Sequence, residues 1–342
     1  MIRDVSPLPA SHRRSRASTL ARVAGVVALL LGSALLALAI VPLSTGGVES
    51  TPEPAANYDE AVARFEQVRA VERRQGVYEP CRSRLLDSGR ATDVVVVLVH
   101  GLANCPRQFV ELGERIRATG ANVLILRVPR HGIADSSGQR IGRVSNVGGL
   151  TPEELASYGD DAVDMAAGLC EDVRVLGLSM GGVVAAWIAQ NREDVDRVVT
   201  VAPAITLPRV PGFVDSMFRN LFTRLPNVSL PGSAALDHAY AGGSTRALAS
   251  MYRLAEAVRD DAAKNAPAAA SIAVVTNGAD DQVKNSDIEA LAEAWRSSGA
   301  DVDSYQFPRA LGLPHDVIDV GQPKGKPEVV YPVLLGLLGL GG

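Results

Sequence analysis

Residues 94–99 read VVVVLV, an unbroken run of apolar and mostly β-branched side chains. A run so short and so apolar suits a strand buried on both faces, as in a parallel sheet covered by helices. Residues 123–128, 173–178, 198–201, 272–276 and 302–307 read as further strands. Helical periods lie between and before them. Residues 58–75 place Ala61, Val62, Phe65, Val68 and Val71 on one face, and residues 106–119 do the same with Phe109, Val110, Leu112 and Ile116. At Thr151-Pro152-Glu153-Glu154 the Thr reads as an N-cap, the Pro as the first helical residue and Glu154 as the far side of a capping box. That helix is expected to run to about Leu169, and residues 181–190 supply another after the third strand. Strand and helix in alternation predict an α/β fold, a mostly parallel sheet with helices on both faces.

One interval breaks the alternation. Residues 206–270 hold no obvious buried strand but contain Pro208, Pro211, Pro226, Pro231 and short amphipathic pieces. So long a stretch without structure is unusual in a compact domain, and an inserted helical lid is expected there.

The N-terminus is a separate matter. Residues 1–22 hold five Arg and one Asp, so the net charge of −4 divides into a leader at +4 and a body at −8. Residues 23–43 are apolar, and as a helix they span about 32 Å, enough for a hydrocarbon core of about 30 Å. The positive-inside rule leaves the basic leader in the cytoplasm. The expectation is a single-pass anchor in the cell membrane with the body outside the cytoplasm. A cleaved signal peptide, with Ala37-Leu38-Ala39 as its cleavage site and a secreted product, is the alternative. Residues 44–57 read as a linker rich in Gly, Pro and Ser, and residues 58–342 as the functional domain. An acidic body with only 4% aromatic residues does not suit nucleic acid. Three cysteines are too few for a disulfide scaffold and wrongly spaced for a structural zinc site, so no metal is expected.

The chemistry gathers at three places. Gly177-Leu178-Ser179-Met180-Gly181 is a G-x-S-x-G sequence between a predicted strand and a small-residue helix, a setting that holds a serine hydroxyl proud of the sheet. A serine nucleophile needs a base. Of His12, His100, His131, His238 and His315, only the last two follow the serine, and His238 falls in the expected lid. His100 and His131 read as turn histidines. The base in turn needs a carboxylate. Asp280 and Asp281, on the loop after the fifth predicted strand, both qualify by spacing.

Together, His100-Gly101, the serine pentapeptide, residues 278–281 and Pro314-His315-Asp316 resemble the α/β-hydrolase superfamily, in its esterase, monoacylglycerol lipase and serine aminopeptidase-like branches. The resemblance covers about residues 81–342. It implies Ser179 as nucleophile, His315 as base and, by the spacing from Gly278 and the following Gln282-Val283, Asp281 as the acid. It also implies an oxyanion hole from the backbone N–H groups of Leu102 and Met180. The loop after His100 departs from the HGGG pattern, which disfavours hormone-sensitive lipase-like enzymes. No clear pair of strands precedes Val94, so the sheet is expected to fall short of the family's usual eight.

The expected activity is hydrolysis of carboxylic esters, on a small-molecule or lipid acyl substrate, through an acyl-enzyme and without a cofactor. Aminopeptidase, thioesterase or acyltransferase chemistry on the same triad is one alternative; a non-catalytic membrane-tethered binding module is another. An aminopeptidase would need a carboxylate for the substrate amine, for which Asp215 and Asp237 are candidates. Cys81 and Cys105 flank the first buried strand, and export to an oxidising compartment would allow them to pair, leaving Cys170 free.

Overall fold

The computed structural model describes residues 11–41, 43, 47–232, 234 and 236–341. Residues 1–10 of the expected leader and 44–46 of the expected linker lie outside the described residues. In chain order the strands are β1 (Arg84–Leu86), β2 (Thr92–Val99), β3 (Asn122–Ile125), β4 (Cys170–Leu178), β5 (Arg197–Val201), β6 (Ser229–Leu230), β7 (Gly243–Ser244), β8 (Ile272–Asn277) and β9 (Val302–Phe307). Seven form one sheet in the order β1-β3-β2-β4-β5-β8-β9; β6 and β7 pair only with each other. β1 is antiparallel to β3 and every other pairing in the large sheet is parallel.

The helices are α1 (Ser11–Ile40), α2 (Tyr58–Arg74), α3 (Val110–Arg117), α4 (Pro152–Ala167), α5 (Met180–Asn191), α6 (Gly212–Arg224), α7 (Thr245–Ala262), α8 (Asn285–Ser297) and α9 (Pro327–Leu337). Val95 to Val99 are all fully buried, so both faces of β2 are covered, as its unbroken apolar run requires. α5 packs across β4 and β5 and against α4 and α7, while α3 packs on β1 and β3. Local chemistry sets the helix starts. The Asn57 side chain accepts from Glu60 N–H at the head of α2. Thr151 and Glu154 complete both bonds of a capping box at the head of α4.

The six expected strands are present, the last with the expected bounds and the other five with shifted ends. The strand expected over 123–128 stops at Ile125, because Val128 N–H leaves the ladder and donates to His100 Nε2 at 3.0 Å. The helix expected over 106–119 begins as a 3₁₀ turn, Pro106–Phe109, before α3. β1 was not anticipated; three residues are too few to show a period. The interval 206–270 is not uniform. Its longest element, α7, buries Ala247, Met251, Leu254, Ala255 and Val258 and packs on α4, α5 and α6, as a layer helix does. The segment before it holds α6, which packs on α7 and on the end of α1, and the β6–β7 ribbon.

The expected linker is a fixed strap in its described part. Arg192 is wholly buried and ion-paired to Asp160, Asp164 and Asp194 at 2.9, 2.6 and 2.7 Å. The two α4 carboxylates reach past Arg192 to the strap. Asp160 accepts from Ser50 Oγ and Thr51 N–H, and Asp164 accepts from Glu53 N–H. Trp187 Nε1 on α5 donates to the Val48 carbonyl at 2.8 Å. Removing the cation would leave two buried carboxylates without their charge partner, a loss of about 3–5 kcal/mol. Arg192→Met is therefore expected to lower unfolding stability by about that amount, read from urea midpoints and slopes. A change below about 1 kcal/mol would contradict the reading.

Candidate active site

β4 ends at Leu178 and α5 begins at Met180, so Ser179 alone makes the turn between them. Its backbone sits at φ 58°, ψ −113°, a left-handed conformation that costs a non-glycine residue of order 1–3 kcal/mol. Contacts around it hold it there. Ser179 N–H donates to the Val201 carbonyl at 2.9 Å, and its own carbonyl accepts from Val183 and Ala204 N–H. The flanking glycines are needed for space. A Cβ on Gly177 would lie 2.0 Å from the Gly181 carbonyl oxygen, and one on Gly181 would lie 2.0 Å from the Val99 carbonyl oxygen.

Ser179 lines a cavity of about 410 Å³ together with His315, Leu102, Leu248, Met251 and Tyr252. His315 comes from the loop after β9. Its Nδ1 faces Asp280 Oδ2 at 2.6 Å, with the Asp280 side chain fully buried. The carboxylate partner is thus Asp280, and the expectation of Asp281 is corrected. Gly278 N–H still pairs with the Phe307 carbonyl, so β8 runs one residue on before turning. Asn277 then tightens the turn: its Oδ1 accepts from Ala279 N–H and its carbonyl from Asp280 N–H. The compact turn delivers Asp280 under the imidazole and sends Asp281 outward, where its 72% exposed side chain pairs with Arg209.

The loop after β2 carries Leu102. Among the described residues, neither the Leu102 nor the Met180 N–H has a hydrogen-bond partner within the protein. The Met180 N–H opens α5, where the helix dipole favours negative charge. Several groups brace this loop. Cys81 and Cys105 form a disulfide with Cα atoms 5.1 Å apart, which ties its far end to the turn Glu79–Cys81; Cys170 remains free. Gln108 accepts from Gly101 N–H and donates to Asp316 Oδ2 at 2.8 Å. Asp316 is half-buried beside His315 and also accepts from Asn104, Gln322 and the Ile318 and Asp319 N–H groups. Burial raises its pKa, against the pull of the Gln108 hydrogen bond. The loop bearing His315 is held by Asn277 Nδ2, which donates to the Leu313 and Pro314 carbonyls.

His100 and His131 are buried braces, in keeping with the turn reading. His100 Nδ1 lies 2.9 Å from the Gly101 carbonyl, and burial, with help from His131, depresses its pKa well below the usual value. His131 touches the Pro129 and Leu102 carbonyls at 2.9 and 3.0 Å. Burial outweighs those two acceptors and brings its pKa down to about 4, so near neutrality the ring donates to one of them at a time. His238 is not among the described residues that line the cavity with Ser179. Burial disfavours its charge, but hydrogen bonding to Asp319 at 2.6 Å and to Asp237 at 3.0 Å outweighs this and raises its pKa. Gln108, Asp316 and Asn277 escaped the sequence reading, since their partners lie far along the chain and leave no local pattern.

A family model described as "Serine aminopeptidase, S33" matches residues 90–242. A thermostable monoacylglycerol lipase of Bacillus sp. (strain H-257) is 25% identical over 117 residues, 34% of this chain and 43% of the lipase. The match thus spans less than half of that relative's own length. Among solved structures, the monoacylglycerol lipase of Paleococcus ferrophilus superposes with a TM-score of 0.55 at 17% identity, covering 75% of this chain and 98% of that one. A structure described under LipS and LipT, two metagenome-derived lipolytic enzymes, gives 0.52 at 16% identity, covering 77% and 98%. The chain has the α/β-hydrolase fold. The strand-to-helix turn at Ser179 and the parallel order from β3 to β9 are the parts of that fold that position the cavity.

Two stability outcomes follow for this domain. Replacing both Cys81 and Cys105 by Ser opens a loop of about 25 residues and is expected to cost about 3 kcal/mol, seen as a lowered denaturant midpoint. His131 gives a pH signature. Its folded pKa is depressed, so as pH falls the unfolded chain takes up the proton first, and stability present above about pH 6.5 is lost toward pH 4. Between pH 7 and 5 the parent chain should lose on the order of 2 kcal/mol more than His131→Gln, comparing urea titrations at each pH. Equal losses would mean that the buried imidazole is not what titrates.

Proposed function

We propose that the chain is a serine hydrolase that cleaves carboxylic esters through an acyl-enzyme. The observation that carries the reading is the strained Ser179 sharing a cavity with His315, whose other ring nitrogen is held by the buried Asp280. Ser179 Oγ attacks the ester carbonyl carbon as His315 Nε2 takes its proton. Asp280 holds the Nδ1–H tautomer and stabilises the imidazolium. The oxyanion forms against the Leu102 and Met180 N–H groups; losing one such donor typically costs about 3 kcal/mol. Collapse expels the alcohol, which receives the proton from His315. Water, deprotonated by the same imidazole, then releases the acid and restores Ser179.

Ester is favoured over peptide substrates by the state of the acidic residues. Asp215 is committed to Arg219 and the Leu207 N–H, and Asp237 to His238 and Tyr78. Neither lines the cavity, and Asp316, which does, is already held by Gln108, Asn104 and Gln322. The apolar side chains of Leu102, Leu248 and Met251 suit an acyl chain, which agrees with a lipid acyl substrate. The reading as a non-catalytic module leaves the strain at Ser179 without a purpose.

The location follows the same reasoning. Leu20–Ile40 is long and apolar enough to cross a membrane. We read it as a retained anchor with the hydrolase domain outside the cytoplasm, since the Cys81–Cys105 disulfide suits an oxidising compartment. A secreted form after cleavage is the alternative.

Turnover of p-nitrophenyl esters tests the chemistry. Ser179→Ala should abolish both hydrolysis and fluorophosphonate labelling while the unfolding midpoint changes little. Asp280→Asn should lower kcat by about 10³–10⁴, whereas Asp281→Asn should stay within about threefold of the parent. Equal losses from the two Asp variants would overturn the assignment of the acid, and labelling that survives Ser179→Ala would overturn the nucleophile.

A further inference from the structure

The end of the apolar helix does not stand free of the domain. Ala39 is 3% exposed, while Leu29, Leu30, Leu31 and Leu36 on the same helix are more than half exposed. The last carbonyls of a helix have no partner within it. Here α6 supplies them: Asn220 Nδ2 donates to the Ala39 carbonyl at 2.8 Å, and Arg224 Nη1 to the Leu38 and Val41 carbonyls at 2.6 and 2.7 Å. The guanidinium also sits at the negative end of the helix dipole. Asn220 is itself buried, so a chain cut after Ala39 would leave its amide without this acceptor.

α6 has an apolar outer side. Phe218 is 39% exposed and stacks on Phe222 with ring centroids 5.5 Å apart. Val228 and Leu230, in the ribbon that follows, are 56% and 37% exposed. The ribbon leads to Ala234, Ala239 and Tyr240 on the cavity wall. The anchor also has little slack. Only residues 41–47 separate the end of α1 from the strap held at Val48 and Ser50, a reach of at most about 25 Å.

We propose that the end of α1 is a structural part of the segment over the cavity, and that it seats the outer side of α6 and the β6–β7 ribbon on the lipid bilayer that α1 crosses. The occupant of that apolar side is a lipid surface, because the side is continuous with the exposed face of a membrane-length helix and is locked to its end. An amphipathic helix so held buries its apolar face about 5–10 Å into the boundary between headgroups and acyl chains. An ester lodged in the membrane then meets the cavity wall from the lipid side. The seating deepens the proposed location and rests on the anchor being retained.

The test uses the full chain in phosphatidylcholine vesicles. Its intact mass is read first; loss of residues 1–39 would overturn the retained anchor and the seating with it. The two native tryptophans, Trp187 and Trp295, are no more than 1% exposed inside the domain and give a steady background. Phe218→Trp adds a reporter on α6, and Ala118→Trp adds one after α3, at the N-terminal end of the strands. Brominated phosphatidylcholine should quench the added fluorescence of Phe218→Trp about twofold and leave that of Ala118→Trp unchanged. Adding Asn220→Ala and Arg224→Ala to Phe218→Trp should remove most of the quenching. No quenching at Phe218→Trp, equal quenching at both sites, or full quenching after the double substitution would each overturn the proposal. The readout needs no hydrolysis, so a failure of the esterase reading is seen separately, in the turnover of p-nitrophenyl esters.

Discussion

The left-handed backbone of Ser179 is the constraint from which the rest of the site follows. A residue with a Cβ holds that conformation only where its surroundings leave no other. Two contacts supply this: the bond from Ser179 N–H to the Val201 carbonyl, and the close approach of Gly181 to the Val99 carbonyl. The second contact has two effects. It pins α5 over the β2–β4 seam, where Val99 stands beside Gly177 in register. It also fixes the last residue of β2, and therefore the start of the loop that carries Leu102. Ser179 and the loop that carries Leu102 are thus built on one point of backbone contact between neighbouring parallel strands.

The loop beyond that point is held from several sides by different chemistry. A covalent link fixes Cys105, the imidazole of His131 reaches the Leu102 carbonyl, and Gln108 joins Gly101 to Asp316. Asp316 is the next residue after His315. The same side chain therefore ties the loop that carries Leu102 to the loop that carries His315. Partly satisfied polar networks are costly in a buried setting, and this one is densely satisfied, which favours a single geometry. Asn277 performs a similar service from β8: one side chain shapes the turn with its oxygen and supports the His315 loop with its nitrogen.

Most of the scaffold was legible in the chain, because burial on both faces leaves runs such as VVVVLV and because caps are local. Thr151, Pro152 and Glu154 fix a helix start within four residues, and G-x-S-x-G needs only five. The pairing of Cys81 with Cys105 could be read because both flank one recognisable strand. What failed was register at the level of a single residue. Counting from Gly278 favours Asp281, yet the turn is set by the Asn277 side chain and by one further ladder bond to Phe307, and neither shows in the spacing. Gln108 and Asp316 are 208 residues apart and leave no trace in any window. The place of α7 within the interval 206–270 was hidden for a related reason. α7 carries the composition of any amphipathic helix, and only its contacts with α4 and α5 reveal it as part of the sheet's cover.

The strap over α4 has a bearing on the order of assembly. Ser50, Thr51 and Glu53 leave the ribosome early, but their partners Asp160 and Asp164 lie about 110 residues downstream, and the cation that balances those carboxylates is Arg192. Through that interval the strap has nothing to bind. Its docking therefore waits until α4, α5 and Arg192 have come together, while β5, β8 and β9 are still to follow in the chain.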